Sequence, residues 1–254
     1  MVQTGPVIGL IGQVALLSGL SGTVGLSVTG WLVGAACGLT TTAALSYGLA
    51  RSGAAALGAA NRVTLTRAAL VGGVAALIVD ALVRPASVAA LVGLAAVALV
   101  LDGVDGWVAR RTGTVSALGT RFDMEVDAFL ILVLSVYVGR AVGPWVLAIG
   151  AARYVVGAAG WVLPWMRAPV PPRYWRKPVA AIQGIVLTAA VAGFLPPSAI
   201  NVAIAVAMAL LAESFGRDLV WQWRQRRAQA PSSAESTCIV VAGRDSGRGH
   251  RFIL

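Results

Sequence analysis

Apolar runs long enough to cross a bilayer recur along most of this chain, and they restrict its possible folds more than any other feature. Residues 1–50 carry no charged side chain at all, and further Leu-, Val- and Ala-rich runs follow at 68–79 and 88–101 and again through the second half. About 20 apolar residues span the hydrocarbon core as a helix. A chain of 254 residues that is 58% hydrophobic and only 12% charged has too little polar surface for a soluble domain, so its main solvent is lipid.

The fold class expected is an all-α, polytopic integral membrane helix bundle. Its core has six helices, at about 63–83, 86–109, 121–142, 144–166, 178–195 and 198–218. Pro85, Pro144 and the pair Pro196–Pro197 mark turns, where a missing N–H costs least. Two extra N-terminal transmembrane helices are expected at 6–24 and 29–49, with one helix plus a re-entrant piece as the alternative. That N-terminal stretch lacks a basic n-region and is too long for a signal-peptide core. The organisation expected is therefore an N-terminal segment 1–52, a core 58–220 and a polar, disordered cytoplasmic tail 221–254. The N-terminal glycines in small-x-x-x-small spacing permit close helix contact and leave a homodimer open.

The net charge of +10 does not imply nucleic acid, because the arginines gather in short segments between apolar runs. Arg51, Arg62, Arg67, Arg110, Arg111, Arg121, Arg167, Arg173, Arg176, Lys177 and the tail arginines fall on one side of the expected topology, and only Arg84 and Arg140 on the other. The positive-inside bias assigns the first side to the cytoplasm of a multi-pass cell-membrane protein. Cys37, Cys238 and the lone His250 form no metal or disulfide spacing.

Against this background, four of the seven aspartates lie within 26 residues, on the same expected cytoplasmic side. Asp102 and Asp105 are three apart at the end of one expected helix, and Asp123 and Asp127 four apart at the start of the next. Those spacings put each pair on one helix face, and a turn between the helices brings the pairs together. Glu125, two residues from each neighbour, points elsewhere. Clustered carboxylates at a membrane surface repel one another unless cations sit among them. Hard divalent ions with oxygen ligands, Mg²⁺ or Mn²⁺, meet that need, and four carboxylates suffice for two ions in an arrangement suited to phosphoryl transfer. Gly106 and Ala109 are small enough for close approach of a ligand. Arg110 offers a fork of donors to phosphate oxygens, and Ser116 lies in a polar crossing suited to a nucleotide. The plainer alternative is an ordinary loop in which the aspartates pair with Arg110, Arg111 and Arg121.

Read in register, Asp102-x2-Asp105-Gly106-x2-Ala109-Arg110-x8-Gly119-x3-Asp123-x3-Asp127 resembles the signature of the CDP-alcohol phosphotransferases at all eight fixed positions. Asn61 to Arg67, "NRVTLTR", is similar to the N-x-x-T-x-x-R segment that opens the family's first core helix. The resemblance implies a membrane-embedded, metal-dependent phosphatidyltransferase of phospholipid biosynthesis. It transfers a phosphatidyl-type group from CDP-diacylglycerol or another CDP-alcohol to a small or phosphorylated alcohol and releases CMP. It further implies that Asp102, Asp105, Asp123 and Asp127 hold two divalent ions and that Asp127 is also the general base. The cytidine diphosphate part is expected at Asn61, Thr64, Gly106, Ala109, Arg110, Ser116 and Gly119.

The acceptor is less legible. Arg153 lies inside an expected helix and Arg173, Arg176 and Lys177 at a helix start. Each is open to two readings: a phosphorylated-acceptor site, or an ion pair and positive-inside anchors. Glu213, Arg217 and Asp218, near the end of the last expected helix, are placed for local ion pairs at helical spacing. Two rivals stay open. An intramembrane prenyltransferase also grips a diphosphate through aspartates and magnesium, but on two well-separated motifs. A cation transporter needs no nucleotide and no Gly-x-x-Ala-Arg insert.

Overall fold

The computed structural model describes residues 4–52, 59–112, 116–167 and 176–229. They form eight α-helices and, among the described residues, no strand. The helices are α1 (Thr4–Val24), α2 (Val28–Ser52), α3 (Ala59–Ala81), α4 (Val88–Thr112), α5 (Ala117–Val142), α6 (Leu147–Val162), α7 (Arg176–Ala192) and α8 (Pro197–Gln229). Short 3₁₀ turns at Pro144–Val146 and Pro164–Arg167 flank α6. The all-α polytopic bundle expected from the sequence is therefore what forms. α1 and α2 are two full helices rather than one helix and a re-entrant piece. α8 continues to Gln229, past the end expected at 218, so the first polar residues of the expected tail are helical. The remainder of that tail lies outside the described residues.

Five of the helices have apolar spans long enough to cross a membrane, from α1, α2, α3, α6 and α8. Helices suit these runs because every backbone N–H and C=O is satisfied inside the segment, which lipid cannot do. The chain reverses where such bonding is locally replaced: Gly25, at φ +69, closes α1 with its N–H on the Ser21 carbonyl at 3.1 Å. Large apolar side chains such as Ile8, Ile11, Leu32, Leu39, Val100, Val155 and Val202 point outward, as a lipid-facing surface requires.

The helices are not equivalent. Buried residues make up 72% of the apolar span of α3, against 11–22% in the other four spans, so α3 is the axis of the bundle. It packs on α1, α2, α4 and α5. Val71, Val74 and Leu77 of α3 join Leu91 and Ala95 of α4, Leu130 and Leu134 of α5, and Leu187 of α7 in one core. α6 lies tightly on α5: a Cβ added at Gly150 would stand 2.6 Å from the Leu132 Cα. Only glycine permits that approach.

The α1–α2 pair is fastened to this core at both ends. At one end Asp80 of α3, 3% exposed, accepts from the Ser27 N–H at 2.9 Å and from the Ser27 hydroxyl, and it pairs with Arg84. Arg84 also donates to the Gly25 carbonyl. At the other end Leu45 and Leu49 of α2 close over Leu65 of α3, against Leu118 and Phe122 of α5. Midway, the buried Gln13 of α1 donates to the Gly34 carbonyl of α2 at 3.2 Å.

Candidate active site

α4 and α5 run in opposite directions and meet at the end of the bundle remote from Asp80. α5 begins there because Ser116 caps it: the Ser116 side chain, in an extended residue, accepts from the Gly119 N–H at 3.0 Å. The cap sets the register in which Asp123 and Asp127 follow on one face. α4 brings Asp102 toward them from the opposite strand of the hairpin. One carboxylate oxygen from each of Asp102, Asp123 and Asp127 lies within 4.8 Å of the others. All three side chains are between a quarter and about a third exposed (34%, 25% and 26%), so the cluster opens to a mouth.

Between the three carboxylates stands Arg67 of α3, only 1% exposed. Its Nη1 is 2.9 Å from Asp102 Oδ1 and also contacts Asp123, while Nη2 contacts Asp127. A guanidinium has a rigid, planar fork of five donors, which lets one side chain serve several carboxylates at once. Three anions and one buried cation leave the described cluster with a formal charge of −2. That excess, on hard oxygen donors at an open mouth, is chemistry that fits a divalent cation such as Mg²⁺ or Mn²⁺.

In the sequence Arg67 stands among the cytoplasmic-side arginines and closes the N-x-x-T-x-x-R segment, without a role in the aspartate cluster. The signal was present: a charged residue inside an apolar helix is a functional candidate by default. The same rule finds Asp80, also passed over, which has a structural role in fastening the N-terminal pair. Arg67 pairs with Asp102, Asp123 and Asp127, a partner that neither the metal-site reading nor the loop alternative with Arg110, Arg111 and Arg121 had included.

The other expected site residues fall as follows. Thr64 is buried on α3, three residues before Arg67 and on the same face. Gly106 on α4 and Gly119 on α5 are half-buried. Ser116 is exposed, with its oxygen already engaged as the cap of α5, a role the sequence had not suggested. Asn61 lies on α3, and Asp105, Ala109 and Arg110 on α4; their side chains lie outside the described residues. So do the side chains of Arg173, Arg176 and Lys177. Glu125 turns away from the cluster, as its spacing implies, and pairs with Arg153 of α6. Glu213 and Arg217 form the expected local pair on α8.

A family model described as CDP-alcohol phosphatidyltransferase matches residues 57–213, more than half of the chain and all four clustered aspartates. The chain belongs to the CDP-alcohol phosphatidyltransferase family. No curated protein and no solved structure matches it. Membership makes the chain an enzyme of lipid synthesis that transfers a phosphatidyl group from a CDP-alcohol. The match begins just before α3 and ends within α8, so the α1–α2 pair stands outside the CDP-alcohol phosphatidyltransferase region.

Proposed function

We propose that the chain transfers a phosphatidyl-type group from a CDP-linked lipid, CDP-diacylglycerol in the simplest case, to an alcohol acceptor with release of CMP. The observation that carries this reading is the convergence of Asp102, Asp123 and Asp127, from two helices, on one set of oxygens within 4.8 Å. Asp102, Asp105, Asp123 and Asp127 would hold two divalent ions, Mg²⁺ or Mn²⁺, which supply positive charge to the diphosphate and to the departing nucleotide. The protein's own part is positioning and proton transfer. Asp127 accepts the proton of the acceptor hydroxyl, whose oxygen attacks the phosphorus bearing the lipid. The bond from that phosphorus to the bridging oxygen breaks, and its electron pair leaves with CMP. Arg67 holds the inner carboxylate oxygens, so each aspartate keeps a fixed orientation toward the mouth. Asn61, Thr64, Gly106, Ala109, Arg110, Ser116 and Gly119 are assigned to the cytidine diphosphate part. The reading places the mouth on the cytoplasmic side of the cell membrane, where the arginine bias puts it. The core 58–220 carries the chemistry, and residues 1–52 brace it.

Arg153 is committed to Glu125 in the resting arrangement, so for a phosphorylated acceptor it acts only by exchanging that partner. The test is CMP release by the purified, detergent-solubilised chain from CDP-diacylglycerol with Mn²⁺ or Mg²⁺. Separate reactions contain glycerol 3-phosphate, inositol 1-phosphate, inositol, serine or a phospholipid. Cation-dependent CMP release with one acceptor fixes the reaction and its product. Consumption of a prenyl diphosphate instead, or passage of a divalent cation without CMP chemistry, overturns the assignment.

A further inference from the structure

Gln183 lies near the middle of α7, 2% exposed, and its Nε2 has no hydrogen-bond partner among the described residues. The other residues at four-residue spacing on that stripe, Val179, Leu187 and Val191, are apolar and buried. A leucine at 183 would pack as well without the cost of an unpaired amide inside a lipid-embedded bundle. An amide kept under those conditions has a use for its N–H.

Its depth indicates what that use is. α7 packs against α4 and α5, the two helices that bring the aspartates together. Beside Gln183, a Cβ on Gly184 would stand 2.6 Å from a Leu99 methyl. Leu99 precedes Asp102 by three residues on the same face of α4, about 4.5 Å of helix rise. Gln183 therefore leaves its helix at about the level of Leu99, roughly one helical turn farther into the bilayer than Asp102. A CDP-linked lipid gripped by its diphosphate puts its glycerol and acyl esters on that side. The ester carbonyl oxygens come a few bonds beyond the phosphorus, a span comparable to one turn. They accept hydrogen bonds and donate none, the complement of an amide N–H. A water-soluble acceptor would arrive from the polar mouth and have no group at this level.

We propose that Gln183 contacts the lipid donor: its Nε2–H donates to an acyl-ester carbonyl oxygen, so that the enzyme selects ester-linked over ether-linked CDP-lipids. This rests on the donor assignment proposed above.

The experiment compares CDP-diacylglycerol with CDP-dialkylglycerol, which lacks the carbonyls. Full-length wild type, Gln183→Leu and Gln183→Met are measured for donor KM, acceptor KM, kcat and thermal stabilisation by each donor. Wild type is expected to favour the ester donor about five- to tenfold in KM, the worth of one neutral hydrogen bond. Both variants should raise the ester KM to the ether value, leave the ether and acceptor KM unchanged, and melt no lower than wild type. Equal treatment of the two donors by wild type overturns the proposal. So does equal loss on both donors, or a drop in melting temperature that marks the amide as structural. If wild type with Mg²⁺ or Mn²⁺ is neither stabilised by nor consumes either CDP-lipid, the donor assignment itself fails. Donor binding without ester preference sinks the Gln183 contact alone.

Discussion

Replacing Arg67 by methionine tests whether the buried guanidinium holds the aspartate cluster together. The side chain is 1% exposed and contacts three carboxylates. Methionine keeps much of its length and apolar bulk, so the change removes charge more than volume. Breaking a buried ion pair costs about 3–5 kcal/mol, because the partner is left uncompensated. Here the partners are a quarter to about a third exposed and water screens them, so the lower end applies, about 3 kcal/mol for the whole set. At about 2–4 °C per kcal/mol for a chain of this size, the variant should melt roughly 6–12 °C lower than wild type in chelator. Divalent cations should then recover more stability in the variant than in wild type. A ligand at 100 times its Kd stabilises by about 2.7 kcal/mol, and the variant's cluster carries one more uncompensated charge. The assay is thermal unfolding in detergent, with EDTA and then with increasing Mg²⁺ or Mn²⁺. A variant as stable as wild type in EDTA would refute the reasoning, and so would an identical cation response in the two proteins.

Three other perturbations have defined outcomes. Asp127→Asn should lower kcat at least about a hundredfold, the low end for general-base catalysis, while nucleotide-dependent thermal stabilisation persists; near-normal turnover would remove Asp127 as the base. Gly150→Ala drives a Cβ to 2.6 Å from the Leu132 Cα and should destabilise by about 1–3 kcal/mol, read as a lower melting temperature, because backbone has to move. Asp80→Asn leaves Arg84 without its ion-pair partner at the foot of the N-terminal pair. It should cost about 1–3 kcal/mol and speed protease cleavage near residues 25–27, with the catalytic rate per folded molecule unchanged; unchanged cleavage would mean that the pair is held elsewhere.

Much of the fold is legible in the sequence because lipid imposes a simple rule. A run of the right length and apolarity becomes a helix, and Pro85, Pro144 and Pro196–Pro197 mark where such runs end. The boundaries missed were polar ones. α8 runs on to Gln229 through residues whose helical periodicity is masked by charge. There Gln222 is anchored by donating to the Met166 carbonyl at 2.7 Å, a contact 56 positions away in the chain. Nor does composition reveal that α3 is the axis. Its glycines and alanines resemble those of its neighbours, and only the packing of α1, α2, α4 and α5 around it makes the difference.

The site divides in the same way. The grouping of Asp102, Asp123 and Asp127 follows from spacings of three and four around one turn, since helical periodicity is a local property of the chain. The outward turn of Glu125 follows from the same periodicity. The partner of those aspartates does not. Arg67 is 35 or more positions away on another helix; its place inside an apolar helix marks it as a candidate, but not which carboxylates it meets. The sequence by itself determined a helical membrane bundle with a carboxylate cluster at one mouth, because lipid and helix geometry act on neighbouring residues. The tertiary structure alone decided which cation enters that cluster and which polar groups brace α1 and α2. Those outcomes depend on which faces of separate helices meet, and a buried charge is stable only where that meeting supplies its counter-charges.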